Sequence, residues 1–465
     1  MLLPTSWYVV PCPTPASEED SESLQVEDQA NPADGISASL PGPSSDLVHQ
    51  EYHGIRQMLQ KIRAETSISS THPIQHYMEQ MKKLDQDQSL EDELRVKVID
   101  EFRGDGYVQK RRAISRATNK HRVQVTMESV PRFLANLSDG APFLQLSREG
   151  LHVYFAAVAI EKACKNGLHT LIADGVHSKA PKGLRHGSQV YVIHGVCSGS
   201  VDVPLVYSIM ERKTREQYEM VLAPLRDQLI RFGANLNELR VILDYEKAAI
   251  AAVRNTFHQS EVQGCAFHLA LAWNRRRNSL GLTRFIFGKD SVPAVNEWWS
   301  TIKGLIFLPK RLHREVRALK EPPVPQQHPC FQSCTYFLDY LDKTWYRGVL
   351  SDLWDKSEAT ELRTTNVAEA FHRKLSVLIQ EDHPTLAVLI ETFHKLEIDA
   401  RATLNSLEMH PNREKRLSKA ATVRKNEIAT AIQQFDDQYK KFGVTRSEIE
   451  LHCKKMAQYV TDKAF

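Results

Sequence analysis

Short runs of β-branched and aromatic residues alternate with amphipathic segments between residues 168 and 284. The strand-like runs are residues 168–174, 189–197, 203–210, 239–244 and 261–268. The first three are bounded by Gly, Ser or Asp, a pattern typical of a strand meander. Amphipathic helices are expected after the third, fourth and fifth runs. This order predicts an α/β layer fold with some antiparallel pairing.

Two aspartates stand directly after apolar strands in this segment, Asp174 in LHTLIAD and Asp244 in LRVILD. In open α/β sheets, chemistry collects at the carboxyl ends of strands. If the two strands are neighbours, the carboxylates meet, and bridging cations would relieve their repulsion. Two Mg²⁺ or Mn²⁺ ions held in this way are suited to phosphodiester cleavage. A local interpretation stays open, with Asp244 as the N-cap of a helix that starts at Tyr245 and Asp174 in a turn.

Glu369 is the candidate for a third acid, which a metal pair usually needs. It lies in the first turn of a predicted helix at 363–379, off the apolar face and beside His372 and Arg373. It also follows Asn366 by three residues, the spacing of a capping box. The pattern leaves both a catalytic and a solvated side chain open.

Cys265 and His268 form a C-x-x-H pair in GCAFH. Zinc would need the distant His328, Cys330 and Cys334 as partners, and this spacing is a weak zinc signal. The alternative, which we prefer, is a packed cysteine and a hydrogen-bonded histidine that supports the strands of the site. We therefore do not expect a zinc ion here.

Together these stretches resemble the transposases of Mutator-like elements (MULEs). The matching runs include ADGVHSKAPKG, VILDYEKAAIAAVRNTF, EVQGCAFHLALAWNRRRNSLGL and TTNVAEAFHRKL, within residues 105–405. The resemblance implies a ribonuclease-H-like core with an Asp-Asp-Glu triad and a C-x-x-H between the second and third acids. Related transposases often carry an N-terminal zinc module of the FLYWCH or WRKY kind. Residues 1–100 contain one cysteine, so no such module can be built there.

The resemblance also implies an activity and a role for each motif residue. Asp174, Asp244 and Glu369 match the three acids, which would bind two Mg²⁺ or Mn²⁺ ions, and Cys265 and His268 match the supporting C-x-x-H. The implied reaction is metal-dependent cleavage of DNA strands followed by strand transfer. The implied partners are the transposon ends and a double-stranded target, in the nucleus and without a membrane, and a homo-oligomer stays open. The alternative is a host-retained or decayed transposase that binds DNA or protein without transposition.

Basic residues are distributed unevenly along the chain, a pattern compatible with nucleic-acid binding. The first 50 residues hold eight acidic and no basic residues, so 60 basic and 49 acidic residues give the remainder a net charge of +11. Basic clusters lie at 110–122, 274–278 and 310–320. The central cluster is the preferred DNA contact because it follows the C-x-x-H motif. The residues that we expect to contact DNA are Arg275, Arg276, Arg277, Lys179 and Lys182. The alternative for each cluster is a solvated helix face.

Composition shifts divide the chain, and no run of eighteen apolar residues predicts a membrane span. We expect a ribonuclease-H-like mixed sheet with flanking helices, interrupted by an all-α insertion, with helical N- and C-terminal regions. The predicted units are a disordered acidic tail (1–50), a partly basic helical region (51–150), the first part of the core (151–284), a helical insertion (285–360), the last core helices (361–405) and a C-terminal helical region (406–465). The insertion's tryptophans are expected to be core rather than a platform for stacking bases.

Overall fold

A seven-stranded mixed sheet forms the centre of the computed structural model, which describes residues 73–88, 91–104, 106–107, 125–356 and 366–462. The strands are β1 (Leu144–Arg148), β2 (Leu151–Tyr154), β3 (Thr170–Val176), β4 (Gln189–Cys197), β5 (Val201–Met210), β6 (Arg240–Leu243) and β7 (Glu261–Gly264). Their order across the sheet is β1-β2-β5-β4-β3-β6-β7. β6 runs parallel to both β3 and β7, and the other pairs are antiparallel. The predicted mixed α/β class is confirmed.

Helices make up most of the remaining described chain. They are α1 (Pro73–Asp85), α2 (Asp92–Arg103), α3 (Arg132–Ala135), α4 (Ala157–Lys165), α5 (Arg215–Arg231), α6 (Lys247–Thr256), α7 (Ala266–Ser279), α8 (Thr283–Ile286), α9 (Pro293–Gly304), α10 (Phe331–Tyr340), α11 (Asn366–Leu378), α12 (Leu386–Met409), α13 (Lys419–Phe442) and α14 (Arg446–Met456). The last two form the helical C-terminal region that the sequence predicts. No helix in the described ranges is long and apolar enough to cross a membrane.

The hairpin of β1 and β2 extends the sheet beyond the predicted strands. Arg148 pairs with Leu151, so only Glu149 and Gly150 form the connection. Gly150 has a φ of 64°, a left-handed conformation that glycine adopts without steric cost. Sequence analysis missed both strands, although a two-residue turn ending in glycine between alternating runs is a hairpin signal.

The two faces of the sheet carry different helices. On one face, Ile172 and Ile242 pack with Val367 of α11, and Tyr207 of β5 stacks on Phe393 of α12 at 4.7 Å between ring centroids. On the opposite face, Tyr191 of β4 meets a tyrosine of α5, which packs beside α6. The sheet is therefore covered on both sides, which accounts for the almost continuous burial of β3, β4 and β5.

The segment at 285–356 contains helices and short 3₁₀ turns, and no strand occurs in it. Its tryptophans Trp298, Trp299, Trp345 and Trp354 are all buried and belong to the main apolar core. Trp298 donates its indole N–H to the carbonyl of Ala318 at 2.8 Å. Trp354 donates to the carbonyl of Trp345 at 2.7 Å. The prediction that these rings are core side chains is confirmed. The acidic tail (1–50) and the basic cluster at 110–122 lie outside the described residues.

Candidate active site

The register of β3 and β6 brings Asp174 and Asp244 together. Ile172 pairs with Ile242 in the parallel ladder. Each aspartate lies two residues further along its strand and therefore on the same face of the sheet as the isoleucine. Adjacent strands are about 4.8 Å apart, so the two carboxylates stand side by side. Asp174 lies within β3, two residues before its end, and not in a turn, whereas Asp244 directly follows β6. This is the neighbour relationship on which the sequence argument depended.

Asp174 is a buried carboxylate with few partners. It is 6% exposed, and its Oδ1 accepts a hydrogen bond from the backbone N–H of Gly175 at 2.8 Å. Its Oδ2 lies 3.7 Å from Nε2 of His372. Burial raises the pKa of Asp174, and the neighbouring charge of Asp244 adds to this rise, while His268 and His372 oppose it. The carboxylate therefore lies in a position where an additional cation would be strongly favoured.

Asp244 is not the N-cap of the helix that follows it, contrary to the local interpretation. Helix α6 begins at Lys247 with Glu246 as its N-cap residue. Asp244 Oδ1 accepts only a 3.4 Å hydrogen bond from the backbone N–H of Glu246. The carboxylate of Glu246 turns instead to Lys213, at 3.3 Å from Nζ. Capping therefore does not explain the aspartate at this strand end.

Cys265 and His268 lie at the start of α7, beside the ends of β3 and β6. The backbone N–H of Cys265 donates to the carbonyl of Leu243 at 2.9 Å, and the fully buried Cys265 packs against Ile172 and Ile242. Burial lowers the pKa of His268, but its hydrogen bond to Cys265 and its electrostatic interactions with Cys265 and both aspartates outweigh this effect and raise the pKa to about 9. His268 is thus a cation that faces the carboxylate pair. The burial of Cys265 and its hydrogen bond with His268 agree with a packed cysteine and a hydrogen-bonded histidine, and the supporting role of the pair stays a prediction.

The other residues considered for zinc lie in a different part of the core. His328 Nδ1 is 3.1 Å from Cys330 Sγ, and Cys330 and Cys334 are buried in the main apolar cluster rather than in the small cluster around Cys265. Across the described ranges, no group of three or more His, Cys, Asp or Glu side chains is arranged to hold a metal ion. The register of β3 and β6 brings together two acidic side chains, those of Asp174 and Asp244.

Glu369 lies within α11, but its side chain falls outside the part of the chain that the structure describes. The helix itself lies over the site face, because Val367 packs on the isoleucines of β3 and β6 and His372 reaches Asp174. Position 369 comes three residues before His372, which places the two Cα atoms on the same side of the helix. Sequence reasoning noted His372 only as a neighbour of Glu369. The spacing E-x-x-H was the signal that could have identified it.

Two of the predicted DNA contacts form internal ion pairs instead. The side chain of Lys179 is 3% exposed, and its Nζ donates to Asp382 Oδ1 at 2.9 Å and to the carbonyl of Glu381 at 3.1 Å. The guanidinium of Arg277 is equally buried, lies 3.2 Å from Asp462 and stacks over Trp299. These cations connect segments of the chain that are distant in sequence.

The other predicted contacts lie at the surface. Lys182 is exposed, with its Nζ 3.7 Å from Glu381 Oε2. Arg275 is exposed on α7, and Arg276 is half-buried with its guanidinium over the ring of Tyr340. Of the arginines in the NRRRN cluster, Arg275 is therefore the most accessible to a phosphate.

The fold and the site together define a class of protein. A meander of three antiparallel strands is continued by two parallel strands, with Asp174 near the end of β3 and Asp244 directly after β6. This arrangement agrees with a ribonuclease-H-like core. Residues 182–271 match the family model of the MULE transposase domain. The match includes Asp244, Cys265 and His268, and Asp174 and Glu369 lie on either side of it. The match agrees with the resemblance found in the sequence. The search of curated proteins found no match.

Proposed function

We propose that this protein is a MULE-type DNA transposase that cleaves and joins DNA strands at Asp174 and Asp244. The observation that carries the proposal is the position of both carboxylates, in register on neighbouring parallel strands and on one face of the sheet. Glu369 is the proposed third acid, because α11 covers the same face. The matched transposase domain supports a transposase-type function for the chain.

Divalent cations are the proposed cofactors. Asp174, Asp244 and Glu369 would hold two Mg²⁺ or Mn²⁺ ions, for which carboxylate oxygens are suitable ligands. When bound, such ions supply charge stabilisation to the reacting phosphodiester and activate the attacking oxygen. Burial is the main cause of the raised pKa of Asp174 and outweighs the opposing effect of His268 and His372, so a bound cation would stabilise the charged carboxylate.

The chain's own residues position these acids. His268 presents a positive charge to both aspartates and is held by Cys265, so it orients the pair without contacting DNA. Gly175 donates its backbone N–H to Asp174 and fixes one carboxylate oxygen. Double-stranded DNA is the proposed partner and the nucleus the proposed location. Arg275 and Lys182 are the surface cations that we assign to phosphate contacts.

A nicking assay tests the proposal. Full-length protein is incubated with supercoiled plasmid and Mg²⁺ or Mn²⁺, and the relaxed product is measured. We expect metal-dependent nicking that Asp174→Asn and Asp244→Asn each reduce by at least about a hundredfold. Asp227→Asn, at an exposed position on α5, is the matched control and should keep wild-type activity. Equal nicking by all four proteins would exclude the aspartate pair as the active site.

A second candidate function is binding of DNA or protein without catalysis, as in a host-retained transposase. One observation favours it: Lys179 and Arg277, which we expected to hold DNA beside the carboxylates, are engaged in internal ion pairs. This alternative predicts DNA binding that is insensitive to Asp174→Asn and no nicking with any divalent ion. The same assay, combined with a DNA-binding measurement, separates the two functions.

A further inference from the structure

His372 faces Asp174 from the helix that covers the site. Its Nε2 lies 3.7 Å from Asp174 Oδ2, and its side chain is 30% exposed. The other oxygen of Asp174 already accepts the Gly175 N–H. The imidazole nitrogen of His372 and the second carboxylate oxygen of Asp174 therefore lie close together near the carboxyl end of β3.

The separation of these two atoms is informative. At 3.7 Å it is longer than a hydrogen bond between a ring nitrogen and an oxygen. Two ligand atoms that each lie about 2.1 Å from the same cation are roughly 3.0–3.7 Å apart when the angle between them at the cation is about 90° to 125°. The pair is thus spaced as two ligands of a common ion would be.

The backbone keeps the imidazole in this position. Phe371, which precedes His372, lies with its ring edge against His194 of β4 at 4.7 Å between centroids, and Val367 packs into the cluster beneath the site. The helix is therefore anchored on the sheet within one turn of His372. Because the helix is already fixed, the imidazole loses little conformational entropy when it binds an ion.

We propose that His372 is a metal ligand that shares one divalent cation with Asp174 and gives the site a preference for Mn²⁺ over Mg²⁺. Imidazole nitrogen is a better ligand for Mn²⁺ and later transition ions than for Mg²⁺, which favours oxygen. The inference rests on the proposed function, because it assumes that Asp174 binds a cation. It adds a nitrogen ligand to the three acids.

The test uses Mn²⁺ alone with full-length protein. Electron spin-echo spectroscopy detects a ¹⁴N nucleus directly bound to Mn²⁺, and calorimetry gives the Kd for Mn²⁺ and for Mg²⁺. We expect the nitrogen signal in the wild type and its loss in His372→Gln. That substitution should also weaken Mn²⁺ binding by about tenfold to a hundredfold while changing the Mg²⁺ affinity less than about threefold.

Further variants make the outcome decisive. His258→Gln, at an exposed histidine, should keep the nitrogen signal. His372→Asp should restore an oxygen ligand and shift the preference toward Mg²⁺, which keeps the test valid if His372→Gln does not fold. Mn²⁺ binding that needs Asp174 but shows no nitrogen signal, or a signal that persists in His372→Gln, would overturn this inference alone. Mn²⁺ binding that is absent, or unchanged in Asp174→Asn, would overturn the proposed function as well.

Discussion

The ring of Tyr245 occupies the space next to Gly264 where a side chain would otherwise lie. A Cβ on Gly264 would be 2.3 Å from Cε1 of Tyr245, far inside van der Waals contact. Tyr245 directly follows Asp244, and Gly264 directly precedes Cys265. The other side of the tyrosine ring meets Trp345 at 4.7 Å between centroids. This contact joins the ends of β6 and β7 to the helical segment beside the candidate active site.

Gly264→Ala should destabilise the protein because the new methyl group cannot fit beside Tyr245. We expect a loss of about 1–3 kcal/mol in the free energy of unfolding, measured by chemical denaturation. Tyr245→Leu combined with Gly264→Ala should recover part of this loss, and a double-mutant cycle measures the coupling. Wild-type stability in Gly264→Ala would show that the ring does not lie against this backbone.

Glu397 gives a second prediction, about pH. Its carboxylate is fully buried on α12, neither oxygen has a hydrogen-bond partner among the described residues, and Arg401 Nε is 3.8 Å away. Burial raises the pKa of Glu397 to about 8, although Arg401 opposes the rise. The unfolded chain releases this proton near its ordinary value of 4.5. The folded protein therefore holds one more proton over this interval, and stability should fall as the pH rises from about 5 to about 8.

Glu397→Gln should remove this pH dependence. Relative to the wild type, the variant should gain on the order of 3 kcal/mol in unfolding free energy between about pH 5 and about pH 8. Asp399→Asn is the matched control, because Asp399 lies on the same helix with an exposed carboxylate. If the two variants show parallel pH profiles, Glu397 ionises normally in the folded protein.

Two arginines of α7 should have different roles: Arg275 in DNA binding and Arg277 in the stability of the fold. Arg275→Ala, at an exposed position, should weaken nonspecific DNA binding and flatten its salt dependence, with little loss of stability. Arg277→Ala should instead destabilise the fold by about 1–3 kcal/mol, because Asp462 and the ring of Trp299 lose their buried partner. Fluorescence anisotropy at several salt concentrations and thermal unfolding test both statements. Identical behaviour of the two variants would contradict the division.

The local sequence pattern predicted the strands and the aspartates of the site better than it predicted the residues that pack around them. The predicted strand at 189–197 coincides with β4, and strand ends alone pointed to Asp174 and Asp244. These signals are local, since strand composition and a charge at a strand end can be read from a few consecutive residues. Whether the two strands are neighbours depends on the sheet order, which only the structure supplies.

Long-range charge pairing could not be read from sequence. Lys179 pairs with Asp382, 203 residues away, and Arg277 pairs with Asp462, 185 residues away. Nothing near either cation distinguishes an internal ion pair from a DNA contact. His372 is a similar case, because its proximity to Asp174 follows from the packing of α11 on β3.

The most direct test of the central claim is a crystal structure of the full-length protein soaked with Mn²⁺, with anomalous scattering used to locate the ions. We predict a peak about 2.1–2.5 Å from carboxylate oxygens of both Asp174 and Asp244, and the carboxylate of Glu369 within about 4–8 Å of the same point. The peak should be absent from Asp174→Asn crystals grown and soaked identically. A wild-type map without a peak between the two aspartates would contradict the account. A Glu369 carboxylate more than roughly 15 Å from both would remove that residue from the site.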